Sequence, residues 1–143
     1  LNGRVETLIG RSRKNRQLMS VTEITGKKSI TNYKTLKVFN IKDIPKISFV
    51  ECELETGRTH QIRVHMAYKN NSLLGDQQYG KKNLKFKKIN EEFEDKLKVL
   101  NRQALHAKSL GFIHPTSKKL VQFESKLPKD FKKILDLLNK LSD

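Results

Sequence analysis

The sequence predicts an α+β domain with a mixed, largely antiparallel sheet and flanking helices. Residues 50–55 alternate between apolar residues and glutamates, a period of two that is typical of a half-buried strand. Residues 128–141 carry an apolar stripe at helical spacing. The predicted order is strands, helix, helix, strands and helix, without regular β-α-β alternation, which favours α+β. The 143 residues, 36% of them hydrophobic, suffice for one domain with a core.

Four strands are predicted in two pairs. Residues 29–39 are rich in Thr, Ile, Tyr, Val and Phe, and they precede the alternating strand, to which residues 40–48 with Pro45 connect them. Residues 105–112 and 119–125 form the second pair, because the His-Pro-Thr-Ser sequence at 114–117 between them has turn-forming residues.

Three helices are predicted. Thr59 is expected to cap a helix over residues 60–70, which Asn70 and Asn71 end in the left-handed conformation. Residues 91–100 place apolar side chains at helical spacing. The last helix has Pro128 and Asp130 in its first turn. Its apolar stripe, interpreted as core, consists of Phe131, Ile134, Leu135, Leu138 and Leu141.

The positive charge is large and clustered. The formal net charge is +15, of which residues 1–37 carry +7 and the lysine run at 81–88 carries +5. Such clusters suit a polyanion, either nucleic acid or an anionic membrane, although a solvated lysine surface is the alternative. No transmembrane run, signal-like start or basic amphipathic anchor helix is present, so RNA is predicted as the partner and a membrane is not. The lone Cys52 fits a reducing, cytoplasmic location.

Neither a metal nor a cofactor is predicted. The four histidines and the single cysteine have none of the spacings of zinc sites, and there is no glycine-rich phosphate loop. The densest polar cluster is residues 56–65, at a predicted turn from strand to helix. Its arginines, Arg58 and Arg63, can bind phosphate or carboxylate with two bonds, and His60 and Gln61 can contact a base or hold the backbone. These residues alone leave open an RNA-binding turn and an ordinary polar helix.

Several segments, taken together, resemble one family. Residues 54–66, LETGRTHQIRVHM, resemble the signature of the RluA-type pseudouridine synthases, which isomerise uridines in ribosomal and other structured RNA. Further resemblances follow in the family's order: the Ile-Gly-Arg…Arg-x-x-Met segment at 9–19, GDQQYG at 75–80, RQALHA…LGFIHP at 102–115, and the closing Phe…Leu-Pro-x-Asp-Phe at 123–131. The ordered set covers nearly the whole chain, whereas one segment alone would be weak.

The resemblance implies a cofactor-free isomerase that modifies ribosomal RNA, with the large subunit as the expected substrate. The family's catalytic aspartate lies in a motif resembling His-Arg-Leu-Asp-x-x-Thr-Ser-Gly, which this chain lacks, and the family's active-site tyrosine is not matched either. We therefore expect residues 1–143 to be the C-terminal portion of a synthase catalytic domain, inactive alone. The aspartates, all in other contexts, are Asp43, Asp76, Asp95, Asp130, Asp136 and Asp143.

Specific residues inherit expectations from the resemblance. Arg63 matches the arginine that pairs with the catalytic aspartate, so here a solvent anion or a local acid is expected beside it. Leu105 matches an apolar position near the uracil, with core packing as the equal alternative. Two further groups are expected either to contact RNA or to serve the structure. These are the motif residues Arg58, His60, Gln61, Ile62 and His65, and the basic run Arg11, Arg13, Lys14 and Arg16.

Two interpretations remain open. The first is the synthase portion; the second is a non-catalytic basic RNA-binding module of the same fold. If the sheet of the parent protein continues beyond this chain, an apolar face and a strand edge are exposed, and self-association through them is expected.

Overall fold

The computed structural model describes residues 2–42, 44–80 and 90–142, so the lysine run at 81–88 lies outside the described residues. The α+β prediction is confirmed, with two antiparallel sheets and three helices among the described residues. The strands are β1 (Asn2–Arg11), β2 (Met19–Thr22), β3 (Lys27–Phe39), β4 (Ile47–Leu54), β5 (Ser109–Ile113) and β6 (Leu120–Glu124). The helices are α1 (Gln61–Tyr68), α2 (Glu91–Leu100) and α3 (Lys129–Leu141).

Four strands form the larger sheet in the order β2-β1-β3-β4, and every pairing in it is antiparallel. The predicted strands at 29–39 and 50–55 are confirmed, with wider bounds. Strands β1 and β2 were not predicted from the sequence. The alternation of Val5, Thr7 and Ile9 was the available signal, and Val5 and Ile9 are buried.

A register shift in the pairing of β3 with β4 divides β3 into two segments. The pairing skips one residue between Thr35 and Lys37, which marks a β-bulge. Thr31 pairs with Leu54 and Phe39 pairs with Ile47. Because Ile47 and Leu54 are an odd number of residues apart on β4, Thr31 and Phe39 project from opposite faces of the sheet.

The main apolar core lies where Phe39 meets the last two helices. Phe39, Phe93 and Leu138 are almost completely buried there, and Ile47 and Phe49 of β4 pack against this cluster. The predicted apolar stripe of α3 therefore faces the core, as its spacing indicated. No helix among the described residues is long and apolar enough to cross a membrane.

Helix α1 begins later than predicted. Thr59 does not cap it; the residue before the helix is His60, in the left-handed conformation at φ 56°, and no side-chain cap bond is formed there. Instead, the side-chain oxygen of Gln61 reaches back and accepts the backbone N–H of Arg58 at 3.0 Å. The predicted stop is confirmed, because Asn70 is left-handed at φ 60°.

The β5–β6 hairpin is a separate two-stranded sheet. Its pairing was predicted, but β5 starts at Ser109 rather than at 105. Nearly all its residues are exposed, including the large apolar residues Leu110, Ile113 and Leu120, each 60% exposed or more. The rings of Phe112 and Phe123 stack across the strands at 6.2 Å. A two-stranded sheet with exposed apolar faces is marginal in water.

Candidate functional site

Arg63 forms the centre of the site. It lies on α1 with only 8% of its surface exposed. Its Nε donates to Asp76 Oδ2 and its Nη2 donates to Asp76 Oδ1, both at 2.8 Å. Nη2 also donates to Gln78 Oε1 at 2.8 Å. The local acid that the sequence analysis expected beside Arg63 is therefore Asp76, and the bidentate geometry is the strongest form of this interaction.

Asp76 is held by a tight loop over residues 75–80, which we call the Asp76 loop. Its Oδ1 accepts the backbone N–H groups of Gln78 and Tyr79, both at 3.0 Å. Two glycines frame the loop. Gly75 has φ +71°, and a Cβ there would lie 2.3 Å from the carbonyl oxygen of Arg102; a Cβ on Gly80 would lie 2.0 Å from that of Asp76. Both positions therefore require glycine.

The pair is ionised on both sides. Burial of Asp76 acts to raise the pKa of its carboxyl, but the hydrogen bonds from Arg63 and from the two amides, together with the charge of Arg63, outweigh burial and lower that pKa. The hydrogen bond to Asp76 raises the pKa of the Arg63 guanidinium, against the effect of burial. At neutral pH the Arg63 guanidinium is therefore a cation paired with the Asp76 carboxylate.

One edge of the Arg63 guanidinium stays available. Its Nε and Nη2 are occupied, whereas Nη1 has no bond within the part of the chain that the structure describes. Arg63 keeps 8% of its surface exposed, and every fully buried polar side-chain atom of the described residues has a hydrogen-bond partner. A guanidinium held from one side and open on the other can receive a second carboxylate or a phosphate.

Tyr79 lies against the same guanidinium. Its ring centroid is 4.7 Å from Arg63 Cζ, in a cation–π arrangement. Its hydroxyl accepts the backbone N–H of Met19 at 3.0 Å and lies 2.9 Å from Nδ1 of His60. Burial and the nearby positive charge of Arg63 lower the pKa of His60, so the ring is neutral at physiological pH.

Gln61 and His65 serve the structure. Gln61 is 2% exposed; its side-chain nitrogen donates to the carbonyl of Ile30 at 2.9 Å and contacts Thr31 Oγ1 at 3.0 Å. His65 is completely buried, with Nδ1 2.8 Å from Thr31 Oγ1 and Nε2 2.9 Å from Thr7 Oγ1. Every polar atom of each side chain is bonded inside the protein, which favours the structural alternative for both residues, and RNA contact by either one stays a prediction.

The remaining motif residues lie around this frame. Arg58 is half-buried and its Nε donates to the carbonyl of Lys28 at 3.2 Å, while Ile62 is half-buried on α1. Leu105 is half-buried in the irregular segment between α2 and β5, where Arg102 donates to its carbonyl oxygen at 3.4 Å. RNA contact by Arg58, Ile62 and Leu105 stays a prediction.

The basic run lies at the tip of the β1–β2 hairpin. Residues 11–18, here named the basic turn, begin at the end of β1 and close through a bond from the Ser12 amide to the Leu18 carbonyl at 2.9 Å. All four predicted residues are exposed: Arg11, Arg13, Lys14 and Arg16. The turn leads directly into Met19, which is bonded to Tyr79, so the exposed positive charge is connected to the Arg63 site.

Three residues of the site were not predicted as such: Asp76, Gln78 and Tyr79. The resemblance of residues 75–80 to the family pointed to this segment, but it assigned no role to any of its side chains. Among the residues that the structure describes, no three His, Cys, Asp or Glu side chains are grouped so that they could hold a metal ion.

Comparisons with known proteins find similarity to RNA pseudouridine synthases. The model of the RNA pseudouridylate synthase family matches residues 1–68. The chain is 42% identical over 139 residues to the ribosomal large subunit pseudouridine synthase D of Zymomonas mobilis, and 41% identical over 140 residues to the uncharacterized RNA pseudouridine synthase YlyB of Bacillus subtilis. These alignments cover 96% and 97% of this chain, but 41% and 40% of the relatives.

A solved structure supports the fold independently. The human RNA Pseudouridylate Synthase Domain Containing 1 superposes with a TM-score of 0.65 at 21% identity, over 99% of this chain and 61% of that one. The chain thus spans about two fifths of the length of the curated relatives that it matches. Along nearly its whole length the chain is similar in sequence to proteins named as RNA pseudouridine synthases, and it shares its fold with a pseudouridylate synthase domain.

Proposed function

We propose that this chain supplies the arginine side of the active site of an RNA pseudouridine synthase that isomerises uridines in large-subunit ribosomal RNA. The observation that carries the proposal is the geometry of Arg63, whose Nε and Nη2 are held by Asp76 and Gln78 while Nη1 has no bond to another described residue. Several of the similar proteins are named as ribosomal large subunit pseudouridine synthases, which supports the substrate class.

The role of Arg63 follows from its open edge. In the family reaction an aspartate attacks the target uridine, which is flipped out of the RNA stack. A guanidinium that donates from Nη1 to this carboxylate keeps it ionised and oriented, because an adjacent positive charge favours the charged form. Asp76 holds Arg63 in place for that purpose by occupying the opposite edge.

Asp76 is not suited to act as the nucleophile itself. Its side chain is completely buried. Oδ1 accepts from Arg63 Nη2 and from two backbone amides, and Oδ2 accepts from Arg63 Nε. We therefore propose that the attacking aspartate comes from outside this chain's residues, that residues 1–143 correspond to the C-terminal portion of a catalytic domain, and that the chain alone is inactive. A cytoplasmic location fits a ribosomal substrate and is part of the same proposal.

The test is release of tritium from ribosomal RNA carrying 5-tritiated uridine, prepared without its natural modifications. Three proteins are compared: this chain, the complete reading frame that contains it, and that frame with Arg63→Ala. We expect release by the complete frame alone, lost in Arg63→Ala. Arg4→Ala is the matched control, because Arg4 is exposed and paired with surface glutamates.

Other outcomes distinguish the alternatives. If the well-folded complete frame binds this RNA without releasing tritium, the non-catalytic RNA-binding module is the better description. Release by this chain alone would mean that it contains its own nucleophile.

We also propose that the isolated chain self-associates through the β5–β6 hairpin. The support is the exposure of Leu110, Ile113 and Leu120 and the unpaired strand edges of a two-stranded sheet. Sedimentation velocity over a concentration series should show dimers that Leu110→Lys disrupts. A monomer at every concentration would contradict this proposal.

A further inference from the structure

The side chain of Tyr79 touches three separate parts of the site. Its ring lies 4.7 Å from Arg63 Cζ, its hydroxyl accepts the Met19 amide at 3.0 Å, and the same hydroxyl lies 2.9 Å from His60 Nδ1. The rings of His60 and Tyr79 meet edge to face at 5.6 Å. Through its own amide, which donates to Asp76 Oδ1, Tyr79 is also fixed to the Asp76 loop.

The hydrogen bonds of the hydroxyl have a defined direction. The Met19 amide can only donate, so it occupies one lone pair of the Tyr79 oxygen. We assign the proton of the hydroxyl to the bond with His60 Nδ1, which requires a neutral ring with its own proton on Nε2. The charged groups that act on this ring are Arg63, Asp76 and Arg11, and its pKa is lowered.

Met19 connects this arrangement to the basic turn. It is the first residue of β2 and pairs with Arg11 at the end of β1, so it closes the hairpin that carries Arg13, Lys14 and Arg16. The side chains of Arg13, Lys14 and Arg16 at the tip of the turn are exposed. The Met19 amide is thus the point where the hairpin is attached to the Arg63 site.

We propose that Tyr79 is a positioning residue that fixes the basic turn relative to Arg63, so that RNA phosphates held at the turn and the Arg63 guanidinium have a set geometry. This inference rests on the proposed RNA function. The ring orients the guanidinium, and the hydroxyl attaches the hairpin and His60 to the same loop. Loss of the hydroxyl should therefore release the turn without breaking the bonds between Arg63 and Asp76.

The test uses Tyr79→Phe in this chain, with Tyr68→Phe as the matched control, because Tyr68 is 58% exposed on α1. Binding of a fluorescein-labelled 20-nucleotide uridine-containing RNA stem-loop is measured by anisotropy. The expected result is about fivefold weaker binding by Tyr79→Phe, the effect of one neutral hydrogen bond. Tyr68→Phe should bind like the wild type.

Two further measurements separate positioning from general destabilisation. By NMR titration, the pKa of His60 should rise in Tyr79→Phe. The variant lacks the hydroxyl that donates a hydrogen bond to Nδ1, and this bond stabilises the neutral form of the ring. Hydrogen exchange of the Met19 amide should accelerate while core amides stay protected. The inference would be overturned, and the proposed function left standing, if Tyr79→Phe matched the wild type in RNA affinity, in the pKa of His60 and in the exchange rate of the Met19 amide. A wild-type chain that does not bind the RNA would overturn the proposed function and the inference with it.

Discussion

Arg63 and Asp76 meet edge to edge, with two parallel hydrogen bonds of 2.8 Å, and the carboxylate is completely buried while the arginine side chain is 9% exposed. The two residues are close in the chain but lie on different local structures, α1 and the glycine-framed loop after it. The pair therefore fixes the loop to the helix and sets the orientation of the guanidinium.

Replacing the buried acid should be costly. In Asp76→Ala, Arg63 loses its charge partner in a buried position, and a loss of about 3–5 kcal/mol in the free energy of unfolding is expected. Urea denaturation measures it. Asp130→Ala is the control, because Asp130 and Arg102 form a pair with about a third of each side chain exposed, where a much smaller loss is expected. Equal losses in the two variants would contradict the special role of Asp76.

Stability should fall as the pH drops below neutral. Burial lowers the pKa of His65 from its ordinary value of 6.5, so between 6.5 and the folded-state pKa the unfolded chain binds more protons than the folded one. The free energy of unfolding is therefore highest above pH 6.5 and declines as the pH falls through that window. His60 adds to this in the same direction.

Urea midpoints at pH 5.5 and 7.5 test this expectation. The decline should be smaller in His65→Gln, although that variant is less stable at both values because the ring bonds to Thr31 and Thr7 are changed. The pKa of Asp76 is lowered from 3.8, so its contribution is lost only at more acid pH. An identical decline in His65→Gln and wild type would exclude His65 as its source.

Replacement by alanine should destabilise the protein at Gly80 but not at Gly57. In Gly80→Ala the new Cβ would lie 2.0 Å from the Asp76 carbonyl oxygen, so the backbone must move, and a loss of about 1–3 kcal/mol is expected. Gly57→Ala is the matched control, because no atom lies within 4 Å of its Cβ position. Thermal unfolding measures both. A Gly80→Ala protein as stable as Gly57→Ala would contradict the geometry of the Asp76 loop.

The basic turn should contribute to RNA affinity through phosphate contacts. Replacing Arg13, Lys14 and Arg16 with alanine should reduce the slope of log K against log salt by about 2, since each phosphate contact to a single strand contributes about 0.7. Three exposed lysines of α3 provide the control: Lys129, Lys132 and Lys133. An unchanged slope in the turn variant would show that its charges do not meet RNA phosphates.

The sequence predicted the elements whose pattern is local. Helix α3 has an apolar stripe that is readable at helical spacing, and the β5–β6 pair surrounds a recognisable turn, so both were predicted. Strand β1 was not predicted, because its alternating apolar residues lie within the basic segment 1–37. The charge of a segment indicates its binding partners but not its backbone conformation.

The site could be predicted in part for a similar reason. The motif predicts Arg63 as a site residue. For the other polar residues of the motif, residue type alone does not tell whether the side chain is exposed or hydrogen-bonded inside the protein. Gln61 and His65 look equally suited to RNA contact until β3 places Thr31 against them. The role of Tyr79 depends on Met19, 60 residues earlier, a contact that no local pattern indicates.

The register shift in β3 also gives the two ends of the sheet different responses to temperature. Beyond the shift, Phe39 belongs to a cluster held together by apolar contacts, whereas before it Thr31 belongs to a network of bonded polar side chains. Apolar burial has a large heat capacity and weakens on cooling, while polar burial contributes with the opposite sign. Cold should therefore loosen the α2–α3 end first and leave the frame around Arg63 closer to its native geometry.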